Sequence, residues 1–198
     1  VLSTKTFVRM AQGDLDGALA AGHQALELAT MLDDPTLQIE ASLRLGQAYF
    51  GMGDFGQAAE LLRGNVEALA RGAPSLVHSW EILSRAWLAW VLGVLGEFAE
   101  GRHHGEEALR LAMVERQREA PVIAHGCLGL LYLEQGDWDA AVQVLDQGLA
   151  LGRASGDRNW SMLIVGGLGE AYAAQDASTR ASGSWRRRSV SVSPPVRC

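Results

Sequence analysis

The sequence predicts an all-α protein, an α-solenoid of antiparallel helix pairs, on three observations. One motif occurs four times: glycine, an acidic residue, an apolar or aromatic residue, then a helical run. Its glycines are Gly13, Gly53, Gly96 and Gly136, spaced 40, 43 and 40 residues apart. A second motif leads into each later glycine (LRLGQAYFGMG at 43–53, RAWLAWVLGVLG at 85–96, GCLGLLYLEQG at 126–136), and GGLGEAYAAQ at 166–175 is a further copy. The composition, 48% hydrophobic and 20% charged over 198 residues, suits a folded chain long enough for a short stack of repeats.

Taken in order, the first unit shows only its second helix clearly, AQGDLDGALAAGHQALELA. Its start, Val1 in an apolar-patterned stretch, reads as a helix already under way and so as a fragment. In later units Pro35, Pro74 and Pro121 stand where first helices begin, because proline is tolerated in a first turn. Asp34 is placed as the N-cap ahead of Pro35. Each Gly-acid pair ends one helix and starts the next: glycine accepts the left-handed cap, and a carboxylate suits a helix N-terminus. Gly46, Gly129 and Gly169 lie inside first helices, where glycine costs about 1 kcal/mol against alanine. Their recurrence at one repeat position predicts close approach of the partner helix, with Ala58 and Ala141 opposite. Tyr49, Tyr132 and Tyr172 follow three residues later and are expected to fill the space between neighbouring units.

These residues carry a resemblance. Gly46, Tyr49, Gly53, Phe55, Ala58 and Leu62 resemble the tetratricopeptide repeat, as do Gly129, Tyr132, Gly136, Trp138, Ala141 and Leu145. The third unit, with Ala89, Leu92, Gly96 and Phe98, has Gly101 where alanine is expected. The resemblance covers about residues 1–175. It implies a right-handed solenoid and binding of a protein or peptide partner. It also implies groove-facing positions on the first helices: Leu43, Gln47 and Phe50; Leu83 and Trp90; Ile123, Leu130 and Leu133; Leu163 and Glu170. The ordinary repeat has about 34 residues, and the longer period here is similar to helical regions of bacterial adenylate/guanylate cyclases with an ATPase module and of maltose-activator-like regulators. HEAT-like pairs share the period without the glycine–tyrosine pattern and stand as the alternative fold.

Residues 1–175 hold 12 basic and 22 acidic side chains, net −10. An acidic body disfavours nucleic acid, which needs a basic face. No apolar run reaches the roughly 18 residues of a membrane span, and the N-terminal stretch is too polar for a signal peptide, so a cytoplasmic location is expected. Cys127 and Cys198 cannot form a disulfide framework or a zinc site by themselves; Cys127 reads as a small core residue. There is no Walker phosphate loop, no HExxH, no GxSxG and no kinase set. No enzyme activity and no cofactor are therefore expected, and the cyclase resemblance brings no catalytic residue. His103 and Glu107 share a helical face and could meet a metal, but no further ligand is spaced to join them, and a solvated face is the simpler reading. Trp80, Trp87 and Trp90 are either packing between repeats or an exposed anchor for a partner.

The tail, residues 176–198, carries five arginines against one aspartate, net +4, and changes texture to DASTRASGSWRRRSVSVSPPVRC. It can be a disordered basic tail or, on Arg186, Arg187 and Arg188, an RNA- or membrane-attracted arm. The genetic code favours a third reading, a shifted frame. If each codon takes the last base of one present codon and the first two of the next, every serine codon beginning TC becomes Leu, Ile, Val or Phe, and Trp185 becomes Leu, Met or Val. Ser178, Ser182, Trp185, Ser189 and Ser193 then form an apolar stripe at helical period. One permitted translation is GRVDEGLRLVEEAVRLGLAARAL, a second helix in register. Without it the last first-helix keeps an open apolar face, a route to self-association at the C-terminal end. The expected function is a protein-interaction scaffold or sensory module; the alternative is a regulatory fragment of a cyclase- or ATPase-type signalling protein or transcription regulator.

Overall fold

The computed structural model describes residues 2–71, 78–114 and 119–190, with residue 78 and the last twelve described by backbone course alone. Among the described residues there are nine helices and no strand: α1 Leu2–Ala11, α2 Leu15–Met31, α3 Pro35–Met52, α4 Phe55–Ala70, α5 His78–Leu95, α6 Phe98–Val114, α7 Ala120–Gln135, α8 Trp138–Ser155 and α9 Asn159–Val190.

The helix boundaries follow the capping chemistry. Asp34 accepts from the backbone N–H groups of Thr36 and Leu37, with Pro35 next in line. Gly53 and Gly136 close α3 and α7 in the left-handed conformation, at φ +81° and +78°. Asp14, Asp54 and Asp137 then open the following helices by accepting from the N–H three residues on. Such caps are each worth about 1 kcal/mol. Pro74 lies outside the described residues.

Each odd helix packs on the even helix that follows it, and each even helix packs on the next odd one. Odd helices also touch their odd neighbours, from α1·α3 through α7·α9, so they line one side of the stack. This is the solenoid of antiparallel pairs that the glycine spacing predicts, and α1 supplies the first helix that the first unit leaves unclear in sequence. The core runs the length of the stack. Leu43, Leu62, Leu88 and Leu92 share one buried cluster across α3, α4 and α5. Val122, Leu145, Ile164 and Leu168 share another across α7, α8 and α9. Each such side chain contributes about 1.5–3 kcal/mol by leaving water.

Two expectations about local packing hold in the earlier units and fail in the last, where an added Cβ at Gly169 meets nothing within 4 Å and Tyr172 is 49% exposed. An added Cβ at Gly129 would lie 2.4 Å from Leu145, and one at Gly46 would lie 3.2 Å from Leu62. The glycines are therefore where the paired helices come closest. Tyr49 meets His23 of the preceding helix through its hydroxyl, at 3.0 Å. Tyr172 repeats this toward Asp146 at 3.5 Å.

The sequence sets residues 176–198 apart as a tail, disordered or out of frame; helix α9 runs from Asn159 to Val190. Between Gln175 and Val190 only Gly183 interrupts good or neutral helix formers, and the first prolines, Pro194 and Pro195, come later. Residues 191–198 lie outside the described residues.

Candidate partner-binding groove

A groove of about 870 Å³ opens on the side lined by the odd helices. Phe7 and Met10 of α1 form one wall, Arg44, Gln47 and Phe50 of α3 the base, Leu83 and Trp87 of α5 the far side, and Ile123, Arg158 and Trp160 the closing end. Local sequence explains the geometry. The odd helices carry residues three and four apart on this side, so Arg44, Gln47 and Gly51, like Leu83 and Trp87, stand in rows. Helices α3 and α5 touch lightly whereas α5 and α7 lie close, which leaves the opening at α3.

The floor is aromatic. Phe50 meets Trp87 and Trp90 with ring centroids 5.6 and 4.5 Å apart, and Trp87 meets Trp160 of α9 at 5.8 Å. Arg44 is the charged element of the base, while Glu119, Asp157 and Arg158 stand at the closing end. The Arg44 guanidinium lies 5.2 Å from the Phe7 ring and 5.7 Å from the Trp80 ring, and it donates to Gln47 Oε1 at 3.1 Å. Burial pushes its pKa down, partly offset by the charge of Glu40. It forms no ion pair among the described residues. A cation held between aromatic faces in a half-dry groove is suited to a polar or anionic group on an incoming chain.

The groove takes in Gln47, Phe50, Leu83 and Ile123 from the expected set. The other expected positions lie elsewhere. Leu43 is fully buried and Leu133 is 6% exposed, and neither lines the groove. Leu43 turns into the shared core with Ala58 and Leu62, and Leu133 does the same with Leu145. Leu130 packs against the cluster of α7, α8 and α9. Trp90 is half-buried between Phe50, Trp87 and the core around Ala86 and Cys127. Glu170 and Leu163 are exposed on α9 and do not line the groove. Arg44, Trp87, Phe7 and Trp160 line it without belonging to the expected set. Arg44 has a legible signal, being the single charge inside LRLGQAYF; Phe7 and Trp160 have none, because their placement depends on how the stack curls.

A larger hollow, about 930 Å³, lies between α2, α3 and α4, but its lining mixes charged with apolar residues and lacks aromatic side chains. His103 and Glu107 do not converge on a ligand set. Glu107 is held by Arg110 at 2.7 Å, and among the described residues no group of three or more potential ligands gathers. Cys127 is buried, and desolvation pushes its thiol pKa well up. Among the described residues no helix is long and apolar enough to cross a membrane.

Two profiles described as tetratricopeptide repeat match the chain, one at residues 124–158 and the other at 39–63 and 82–104. No match was found among curated protein sequences. Among solved structures the chain is similar to a candidate kinesin light chain of Podosopora anserina with nearly identical TPR-like repeats. The identity is 17% and the TM-score 0.64, over 97% of this chain and 96% of that one. It is similar to BtubC (BKLC) from P. vanneervenii at 20% identity and TM-score 0.64, over 100% of this chain and 83% of that one. It is also similar to the apo form of RapI at 14% identity and TM-score 0.63, over 94% of this chain and 51% of that one. At these identities the likeness speaks for the fold.

Proposed function

We propose that this chain, which carries tetratricopeptide repeats, is a protein-interaction scaffold that seats a segment of a partner protein in the groove between α1, α3 and α5. The observation that carries the reading is Arg44, half-buried between Phe7 and Trp80 at the edge of an aromatic floor and without an ion pair among the described residues. A guanidinium held so, beside apolar walls, offers both parts of a peptide site: pockets for affinity and one directional group for register. The repeat proteins of similar fold support a binding role over a catalytic one. The cyclase-linked alternative rests on repeat length alone, and no such protein is among the relatives named above.

The test is site-directed crosslinking. A benzophenone amino acid replaces Phe7, which is 49% exposed at the groove wall, in the full chain, in cell extract. A discrete crosslinked partner should form, and Arg44→Glu should abolish it while leaving the helical melt in place. A partner captured equally by the Arg44→Glu chain would place binding elsewhere and end the proposal.

A further inference from the structure

The last helix leaves open an apolar face that the earlier first helices of the described repeats have covered. On α9 the residues Met162, Val165, Gly166, Gly169, Tyr172 and Ala173 fall at the i, i+3, i+4, i+7 spacing of one face. All are exposed, Met162 to 78% and Val165 to 51%. Forty residues earlier the same face of α7 is closed. Val122, His125, Gly126, Gly129 and Leu133 are all buried there. Helix α8 closes most of it: Leu145 fills the notch at Gly129, Gly148 lets in His125, and Gly152 lets in Val122, while Gly126 is covered by Trp160 and Ile164 of α9. Helix α3 is closed likewise by α4, where Leu62 and Ala58 meet Gly46. At Gly169 an added Cβ meets nothing within 4 Å. A shallow hollow of about 530 Å³, lined by Leu149, Gly152, Met162 and Val165, continues the open face onto α8.

We infer that this face is the seat of one more second helix, antiparallel to α9, with a small residue and an aliphatic residue at the places where Ala58–Leu62 and Ala141–Leu145 meet their own glycines. The occupant is the amphipathic helix written in the shifted frame of residues 176–198. Three features converge on it. Its first codon, the last base of a glutamine codon followed by GA, reads glycine or arginine; glycine would stand forty residues after Gly136, the place of a chain reversal in the earlier units. Its apolar places include those of Ser178, Trp185 and Ser189, which stand forty residues after Trp138, Leu145 and Leu149, the residues α8 uses against α7 and α9. Its polar places allow a tail of five arginines to become mixed charge, as α8 has in Asp139, Asp146 and Arg153. The interface is thus continuous with one that the described residues already build four times over, from α1 on α2 to α7 on α8.

The test uses the full chain as it is. A fluorescein-labelled synthetic peptide, GRVDEGLRLVEEAVRLGLAARAL, is titrated and read by anisotropy, with a scrambled peptide as control. Saturable binding of the ordered peptide alone is expected, weakened about tenfold or more by Gly169→Leu, which fills the notch; tenfold corresponds to about 1.4 kcal/mol. Circular dichroism melts should show Gly169→Leu folded, since open space surrounds the site. No saturable binding, or equal binding to the Gly169→Leu chain, overturns the inference. So does a dimer in sedimentation that Val165→Glu dissolves and the peptide cannot displace, because the face would then belong to a second copy.

Discussion

The side-chain amide of Asn65 donates to the backbone carbonyl of Ile39 at 3.0 Å, deep in the stack. The same nitrogen lies 3.3 Å from the Ser84 hydroxyl, so one residue of α4 ties together α3 and α5. Asn65 is 4% exposed and Ser84 fully buried. A buried polar bridge of this kind fixes how one unit sits on the next, because each group is costly to leave unpaired. Asn65→Ala should lower stability by about 1–3 kcal/mol, read as an earlier midpoint in urea. Asn65→Leu, which keeps the branched shape and loses both bonds, should not restore it. A Leu variant as stable as the parent would show that packing alone sets the register.

The recurring glycines make a graded prediction. Gly129→Ala forces a methyl against Leu145 at 2.4 Å and should destabilise. Gly46→Ala meets Leu62 at 3.2 Å and should cost less. Gly169→Ala finds open space in the described structure, and there the helix preference of alanine should raise stability by about 1 kcal/mol. Thermal melts of the three variants in parallel check the order.

His104 sets a pH response. Burial is the main cause that holds its pKa below the usual value, with Arg85, His103 and Arg63 acting the same way and Glu100 opposing. The unfolded chain binds a proton near pH 6.5 that the folded chain resists. Stability is therefore complete above that pH and declines as pH falls from it toward the lowered folded value. Melts between about pH 8 and pH 5 should show this decline, and His104→Gln should flatten it.

The stack is legible because its signals are local. Gly53 with Asp54, and Gly136 with Asp137, place a helix end and a helix start within two residues, and the spacing between such pairs repeats. The groove is only half legible for the opposite reason. Leu43 and Arg44 are sequence neighbours, yet one is core and the other groove, because a first helix here touches its own partner, the preceding second helix and two other first helices. Which residue lands in the remaining gap depends on how far α3 and α5 spread, and no single segment encodes that. Trp160 shows the same limit. It reaches Trp87 from a helix two units away, a contact set by the accumulated turn of the stack.

Trp90 separates packing from recognition. Its ring lies against Phe50 and Trp87 and on the core of α5, α6 and α7, and it is absent from the groove lining. Trp90→Ala should therefore cost about 3 kcal/mol or more in stability, the scale of removing a packed aromatic. Phe7 is the converse case. It is exposed, and its ring contact is with Arg44, so Phe7→Ala should change the melt by about 0.5 kcal/mol or less while weakening capture of the partner. Two chains measured side by side, for unfolding in urea and for crosslinked yield from a reporter in place of Met10, give opposite patterns if the assignment holds. A Trp90→Ala chain that melts like the parent would return that ring to the groove and make the aromatic floor itself the contact surface.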